Sequence, residues 1–151
     1  MHTSKQRLAV QCRLEDAFEY VADWHNFVNF LPLFLDLKPV SLVEYGPGSS
    51  LNATMVVGKM QVSTGLDTVE FQKNRRIVIK ASRGVRIRLV WEFKDVGGKV
   101  LVSFDFDYEV PAALVLSQTE RESVEKDLDA TVAKSMELLK WILEAMPPSE
   151  D

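Results

Sequence analysis

Few side chains in this 151-residue chain are suited to carrying chemistry: two histidines, His2 and His25, and one cysteine, Cys12. A structural zinc site is usually closed by four thiolate or imidazole ligands, so no metal centre is expected. A cysteine nucleophile needs an activating base or cation. Cys12 has no histidine near it in sequence and reads as an inert, half-buried thiol. His2 is expected on a mobile terminus, and His25 on the polar side of a short helix. The glycine-bracketed serine elbow, the P-loop and the dinucleotide fingerprint are all absent. Asp105 and Asp107 alternate with apolar residues, which places both on a solvated face. No catalytic residue and no cofactor are assigned.

The remaining polar candidates are hydroxyls set among apolar neighbours: Thr64, Tyr108 and Ser135, with Tyr20 from the first helix. A buried hydroxyl needs a partner, which can be backbone, water or ligand. Thr64 or Tyr108 could therefore orient a ligand carbonyl or hydroxyl; satisfaction by the local main chain is the commoner arrangement.

The elements that position these groups follow from periodicity. Ser4–Cys12 reads as a strand with Leu8 and Val10 on one face. Glu15–Asp23 reads as a short helix, with Phe18, Val21 and Ala22 at the spacing of one helical face. Trp24–Leu31 continues as a second short helix that Pro32 stops, and its Phe27, Phe30 and Leu31 share a face. Leu37–Tyr45 is a strand candidate demoted to an edge by Pro39. A two-residue turn at Gly58–Lys59 pairs Val57 with Met60, Met55 with Val62, Ala53 with Thr64 and Leu51 with Leu66. That register turns Leu51, Met55, Val57, Met60, Val62, Thr64 and Leu66 inward. "RRIVIKAS" supplies a further strand. A second turn at Gly97–Gly98 sets Leu89 opposite Phe106, Trp91 opposite Phe104 and Phe93 opposite Val102, with Tyr108 continuing the inward phase. On the other face Arg88 meets Asp107 and Arg86 meets Glu109, ion pairs of a kind worth little on a surface.

The chain closes with a helix predicted over Gln118–Ala145. Ser117 and Glu120 have capping-box spacing, and Pro147–Pro148 ends the helix. Val124, Leu128, Val132, Ser135, Leu139, Ile142 and Met146 form its apolar stripe, with Met136 beside it. At ~1.5 Å per residue it would run about 42 Å, so it can pack only across a sheet that curves around it.

Composition narrows the function. Eighteen basic against 22 acidic residues leave a net charge of -4, which argues against phosphate-driven nucleic-acid binding. No apolar run reaches the ~18 residues of a membrane span, and the N-terminus lacks a signal-peptide core. The expectation is one cytoplasmic domain over residues 1–151.

This order of elements, with the knuckle "EDAFEYVADWHNFVNFLP", resembles the START-like (SRPBCC) superfamily, and within it the polyketide cyclase/dehydrase and coenzyme Q-binding proteins. Those proteins carry an aspartate after the first helix and an aromatic-rich turn ending in leucine-proline; Asp23, Phe30, Leu31 and Pro32 stand in those positions. The resemblance implies an α+β helix-grip fold: a curved antiparallel sheet of about seven strands around a long C-terminal helix, two short helices after the first strand, and a hydrophobic cavity. The ligand-binding set it implies is Phe27, Phe30 and Leu31 from the knuckle and Met55, Val57, Met60, Thr64 and Leu66 from the first hairpin. Leu89, Trp91, Phe104, Phe106 and Tyr108 join from the second hairpin, and Leu128, Val132, Ser135, Met136 and Leu139 from the helix. The implied partner is a lipid, isoprenoid quinone or polyketide-like molecule, bound by a monomer or homodimer with transient membrane contact. The rival is an aromatase/cyclase or dehydratase in the same cavity, using Tyr108, Tyr20 or an inward Arg83; a protein-interaction module is the third reading.

Overall fold

The computed structural model describes residues 1–43, 46–111 and 117–149. Its elements run β1 (His2–Val10), α1 (Leu14–Ala22), a 3-10 turn (Trp24–Asn26), α2 (Phe27–Phe30), β2 (Phe34–Pro39), β3 (Ser50–Val57), β4 (Met60–Gln72), β5 (Arg76–Gly84), β6 (Ile87–Asp95), β7 (Val100–Tyr108) and α3 (Gln118–Ala145). The strands form one seven-stranded antiparallel sheet in the order β1-β7-β6-β5-β4-β3-β2. This is the α+β helix-grip arrangement, with the short helices after β1 and the long helix last.

Both hairpins have the register the sequence predicts. Val57 pairs with Met60, Met55 with Val62 and Leu51 with Leu66; Leu89 pairs with Phe106 and Trp91 with Phe104. In each case a slip of one residue would turn apolar side chains to water, so burial of one face fixes the pairing. Arg88–Asp107 and Arg86–Glu109 ion pairs lie on the outer face, each at 3.7 Å.

Three boundaries differ from expectation. β1 begins at His2 and stops at Val10, because the chain must turn to start α1 at Leu14. The second helix divides into a 3-10 turn and one turn of α-helix: Asp23 accepts a hydrogen bond from His25 N at 3.0 Å and caps the first piece. The Leu37–Tyr45 strand is instead Phe34–Pro39, with Phe34 and Leu37 buried; its predicted end at Glu44–Tyr45 lies outside the described residues. Past Pro39 the ladder continues through one bond, from Val40 N to Ser50 O at 3.0 Å.

The sheet bends where β4 and β5 slip in register, between Gly65 and Leu66 and between Thr68 and Glu70. Extra residues of this kind kink a strand and increase its twist. At the end of β5 Gly84 has φ +82°, and a Cβ there would sit 2.4 Å from Ser63 O and 3.0 Å from Thr64 Cα. Only glycine fits both the backbone angle and the space.

α3 is capped by Ser117, whose Oγ accepts from Glu120 N at 3.1 Å and donates to Glu120 Oε1 at 3.3 Å. Leu128, Val132, Ser135, Met136, Leu139 and Leu143 are its buried residues. Val124 and Ile142 are half-buried, and Met146 is exposed beyond the last turn. Among the described residues no helix is long and apolar enough to cross a membrane. Gly84→Ala should destabilise the protein by about 2 kcal/mol or more, since strain at positive φ adds to a backbone clash; a denaturant midpoint within error of the parent's would refute this reading of the bend.

Candidate functional site

The concave face of the sheet, α2 and α3 enclose one apolar interior. Phe27, Phe30, Leu31, Met55, Val57, Thr64, Leu66, Leu89, Trp91, Phe104, Phe106, Tyr108, Leu128, Val132, Ser135, Met136 and Leu139 are all buried. Met60 is not. It is 51% exposed at the tip of the β3–β4 hairpin, because the sheet ends there and no element covers the first residue after the turn.

Aromatic rings run through this interior in an unbroken file. Phe34 stacks on Phe27 at 6.4 Å between ring centroids, Phe27 meets Phe30 edge-on at 6.0 Å, and Phe30 meets Trp91 edge-on at 5.8 Å. Trp91 stacks on its cross-strand partner Phe104 at 3.9 Å, and Phe106 and Tyr108 continue the file. The proline-stopped knuckle thus inserts Phe30 against the middle of the sheet. It is held there by Asn26 Nδ2 donating to Tyr20 O (2.9 Å) and by Val56 N donating to Leu33 O (2.9 Å).

The interior is closed around these rings. Beneath α1 and the 3-10 turn a chamber of about 20 Å3 remains, lined by residues that include Val21, Phe27, Leu51 and Leu66. At the rim a crevice of about 200 Å3 lies between the knuckle (Pro32, Leu33), the β3–β4 hairpin (Val56, Gly58) and α3 (Asp127, Leu128, Thr131). Gly58 sits directly against α3, where a Cβ would approach Val124 Cγ2 to 3.3 Å.

The inward hydroxyls bond to the protein itself. Thr64 Oγ1 lies within donating distance of Arg83 O (2.9 Å) and Val85 O (3.1 Å), and Ser135 Oγ donates to Thr131 O (2.8 Å). Tyr108 OH donates to Glu125 O (3.0 Å), with Asp129 Oδ1 at 3.4 Å. Burial first, then the charges of Asp129 and Glu125, push the Tyr108 hydroxyl well above the ordinary phenol range. Tyr20 is half-buried and its hydroxyl accepts from Asn29 Nδ2 at 3.4 Å. Arg83 is exposed rather than inward, and it bonds to Asn52 Oδ1.

One cluster escapes sequence reasoning. His2 is tied down: it pairs with Tyr108 in the β1–β7 ladder, and its Nε2 lies 2.8 Å from Asp129 Oδ1. Its Nδ1 lies 3.6 Å from Glu125 Oε2, and Ser4 Oγ donates to Asp129 Oδ1. The order is wrong for a nucleophilic triad, in which the imidazole stands between hydroxyl and carboxylate; here the carboxylate stands between them. The group straps β1 to α3. The signal that could have exposed it is the inward phase His2–Ser4, continuous with Leu8 and Val10.

Cys12 sits in an open groove of about 660 Å3 between the β1–α1 connection, Asp95 and Gly98, and the end of α3. Desolvation, with the charges of Asp16 and Glu144, raises its pKa from 9.0 to about 11. A raised pKa disfavours the thiolate, the reactive form. Against a disulfide reagent at pH 8 the native thiol should therefore react about tenfold more slowly than in the unfolded chain, the smaller thiolate fraction being partly offset by the greater nucleophilicity of a more basic thiolate; equal rates would refute the raised pKa.

No family model matches the chain, and no curated protein matches it in sequence. Solved structures do. The protein TTHA0849 of Thermus thermophilus superposes with a TM-score of 0.80 at 16% identity, over 95% of this chain and 98% of that one. The Zhui aromatase/cyclase from Streptomyces sp. R1128 gives 0.75 at 11% identity, over 95% and 93%. A START superfamily protein from Mycobacterium smegmatis gives 0.73 at 14% identity, over 95% and 99%. The chain therefore has the START-like helix-grip fold.

Proposed function

We propose that this protein binds an apolar small molecule, of the lipid, isoprenoid quinone or polyketide-like class, between the concave face of its sheet and α3. The role is carriage, sequestration or presentation in the cytoplasm, by a monomer or homodimer that meets membranes only transiently to exchange cargo. The observation that carries this reading is the chemistry of the interior. The buried polar residues among those described are Ser4, Ser49, Thr64 and Ser135, with no ionised side chain among them, and the surrounding lining is aliphatic and aromatic. Such a surface rewards a guest by area. Burying about 300 Å2 of apolar ligand is worth about 7.5 kcal/mol at ~25 cal/mol per Å2, and that free energy is available to part the elements that now touch. The fold likeness to a START protein supports the same reading.

The rival, cyclisation or dehydration of a polyketide-like substrate in this interior, draws support from the likeness to the Zhui aromatase/cyclase. It needs an acid or base that titrates near neutral pH. Tyr108 holds its proton far above that range, and Arg83 points to solvent.

Native mass spectrometry of the purified protein, followed by solvent extraction, tests the proposal. An apolar compound should co-purify, or a member of a lipid and quinone panel at about a hundred times its Kd should raise the melting temperature by about 5–10 °C. Met60→Trp, on the exposed hairpin tip, should leave that binding unchanged. Absence of any co-purified compound together with no shift across the panel overturns the reading.

A further inference from the structure

Of the buried side-chain polar atoms without a hydrogen-bond partner among the described residues, Asn74 Oδ1 lies in the β4–β5 turn and Asp105 Oδ1 on the outer face of the sheet. The third, Trp91 Nε1, belongs to the grip interior. Trp91 is 0% exposed, stacked on Phe104 and met edge-on by Phe30. An indole N–H is a donor only. A buried donor left unpaired carries its full desolvation penalty, and natural structures rarely leave one without a reason.

The other inward polar groups are already committed. Thr64, Ser135 and Tyr108 each donate to a main-chain carbonyl. Among the described residues, the donor the interior can still offer a guest is thus the Trp91 N–H, set in a wall of rings.

We infer that Trp91 Nε1 is the orienting donor of this site, and that the guest is an apolar molecule bearing an acceptor oxygen: a ketone, quinone or ester carbonyl rather than a bare hydrocarbon. The inference rests on the binding reading given above and specifies its ligand class. Flat aromatic carbonyl compounds fit best, because the wall around Trp91 is made of rings and a planar carbonyl can bring its oxygen into the plane of the indole N–H.

Matched probe pairs test it: 9,10-anthraquinone with anthracene, and 2-tridecanone with tridecane. In the wild type, the carbonyl member of at least one pair should bind about tenfold or more tighter than its hydrocarbon, as expected when one unpaired buried donor is satisfied. In Trp91→Phe that preference should fall to about twofold or less, the ring being kept and the N–H removed. A second readout does not depend on the variant folding. The three tryptophan indole resonances of 15N-labelled protein can be assigned with Trp24→Phe and Trp141→Phe, and the Trp91 Hε1 signal should move downfield with the carbonyl compound and not with the hydrocarbon. Equal affinities within each pair, or a Trp91 signal unmoved by a bound ketone or quinone, overturn the inference while leaving the binding reading intact. If no member of either pair binds the wild type, the inference falls, while the binding reading stands or falls on the co-purification and panel test.

Discussion

A helix about 42 Å long and a sheet curved around it must bury their facing apolar surfaces, and the space between them cannot be left empty. A dry void costs about 24 cal/mol per Å3, so roughly 400 Å3 of it would cost about 10 kcal/mol, as much as a whole domain's stability. The chain meets that constraint by filling the grip with rings. Phe30 reaches from the knuckle to Trp91, and Trp91 lies flat on Phe104. The knuckle is therefore a plug. What the protein places against Trp91 when alone is an aromatic side chain on a single turn of helix, α2, tied to β3 by one main-chain bond from Val56 to Leu33.

Polar economy explains the rest of the interior. Each inward hydroxyl closes a local structural need. Thr64 bonds across the bulged β4–β5 pair beside Gly84, Ser135 bonds back one turn of α3, and Tyr108 ties the end of β7 to α3. None of the three is spare. Trp91 differs because a strand's main chain spends its own carbonyls on the ladders to either side, and the ring's two neighbours, Phe30 and Phe104, carry no acceptor.

The fold was largely legible in the sequence because its signals are local and periodic. The two turns fix two registers, and the stripe from Val124 to Leu139 with the Ser117 cap fixes α3. The inward phase also predicted burial: every candidate lining residue except Met60 is buried. Met60 failed because alternation says which face a residue shares, not where the sheet ends beneath it. His2 failed for a related reason. Its placement depends on α3 crossing over β1, which is not encoded within a few residues of the side chain. Whether hydroxyls serve ligand or backbone was equally undecidable from spacing, since the accepting carbonyls of Arg83, Val85 and Glu125 lie 17 to 21 residues away in the chain.

The restraints on α3 also say where a guest would pass. Its C-terminal end is fastened to the β1–α1 connection: Gln11 N donates to Glu144 Oε2 at 2.8 Å, Arg13 Nη1 to Ser149 O at 2.8 Å, and Ser149 N to Asp16 Oδ2 at 3.3 Å. Toward its other end the strap of His2, Ser4 and Tyr108 engages Asp129 and Glu125, and no α3 residue before Leu128 is buried. The crevice beside Gly58 and Leu128 lies on the hairpin side of that strap, with the one-turn helix that carries Phe30 as its neighbour. Opening there separates a glycine from a valine and withdraws one phenylalanine. Opening at the C-terminal end would break three hydrogen bonds and uncover Leu139 and Leu143. For the proposed guest, parting the elements at the crevice is thus the cheaper of the two openings.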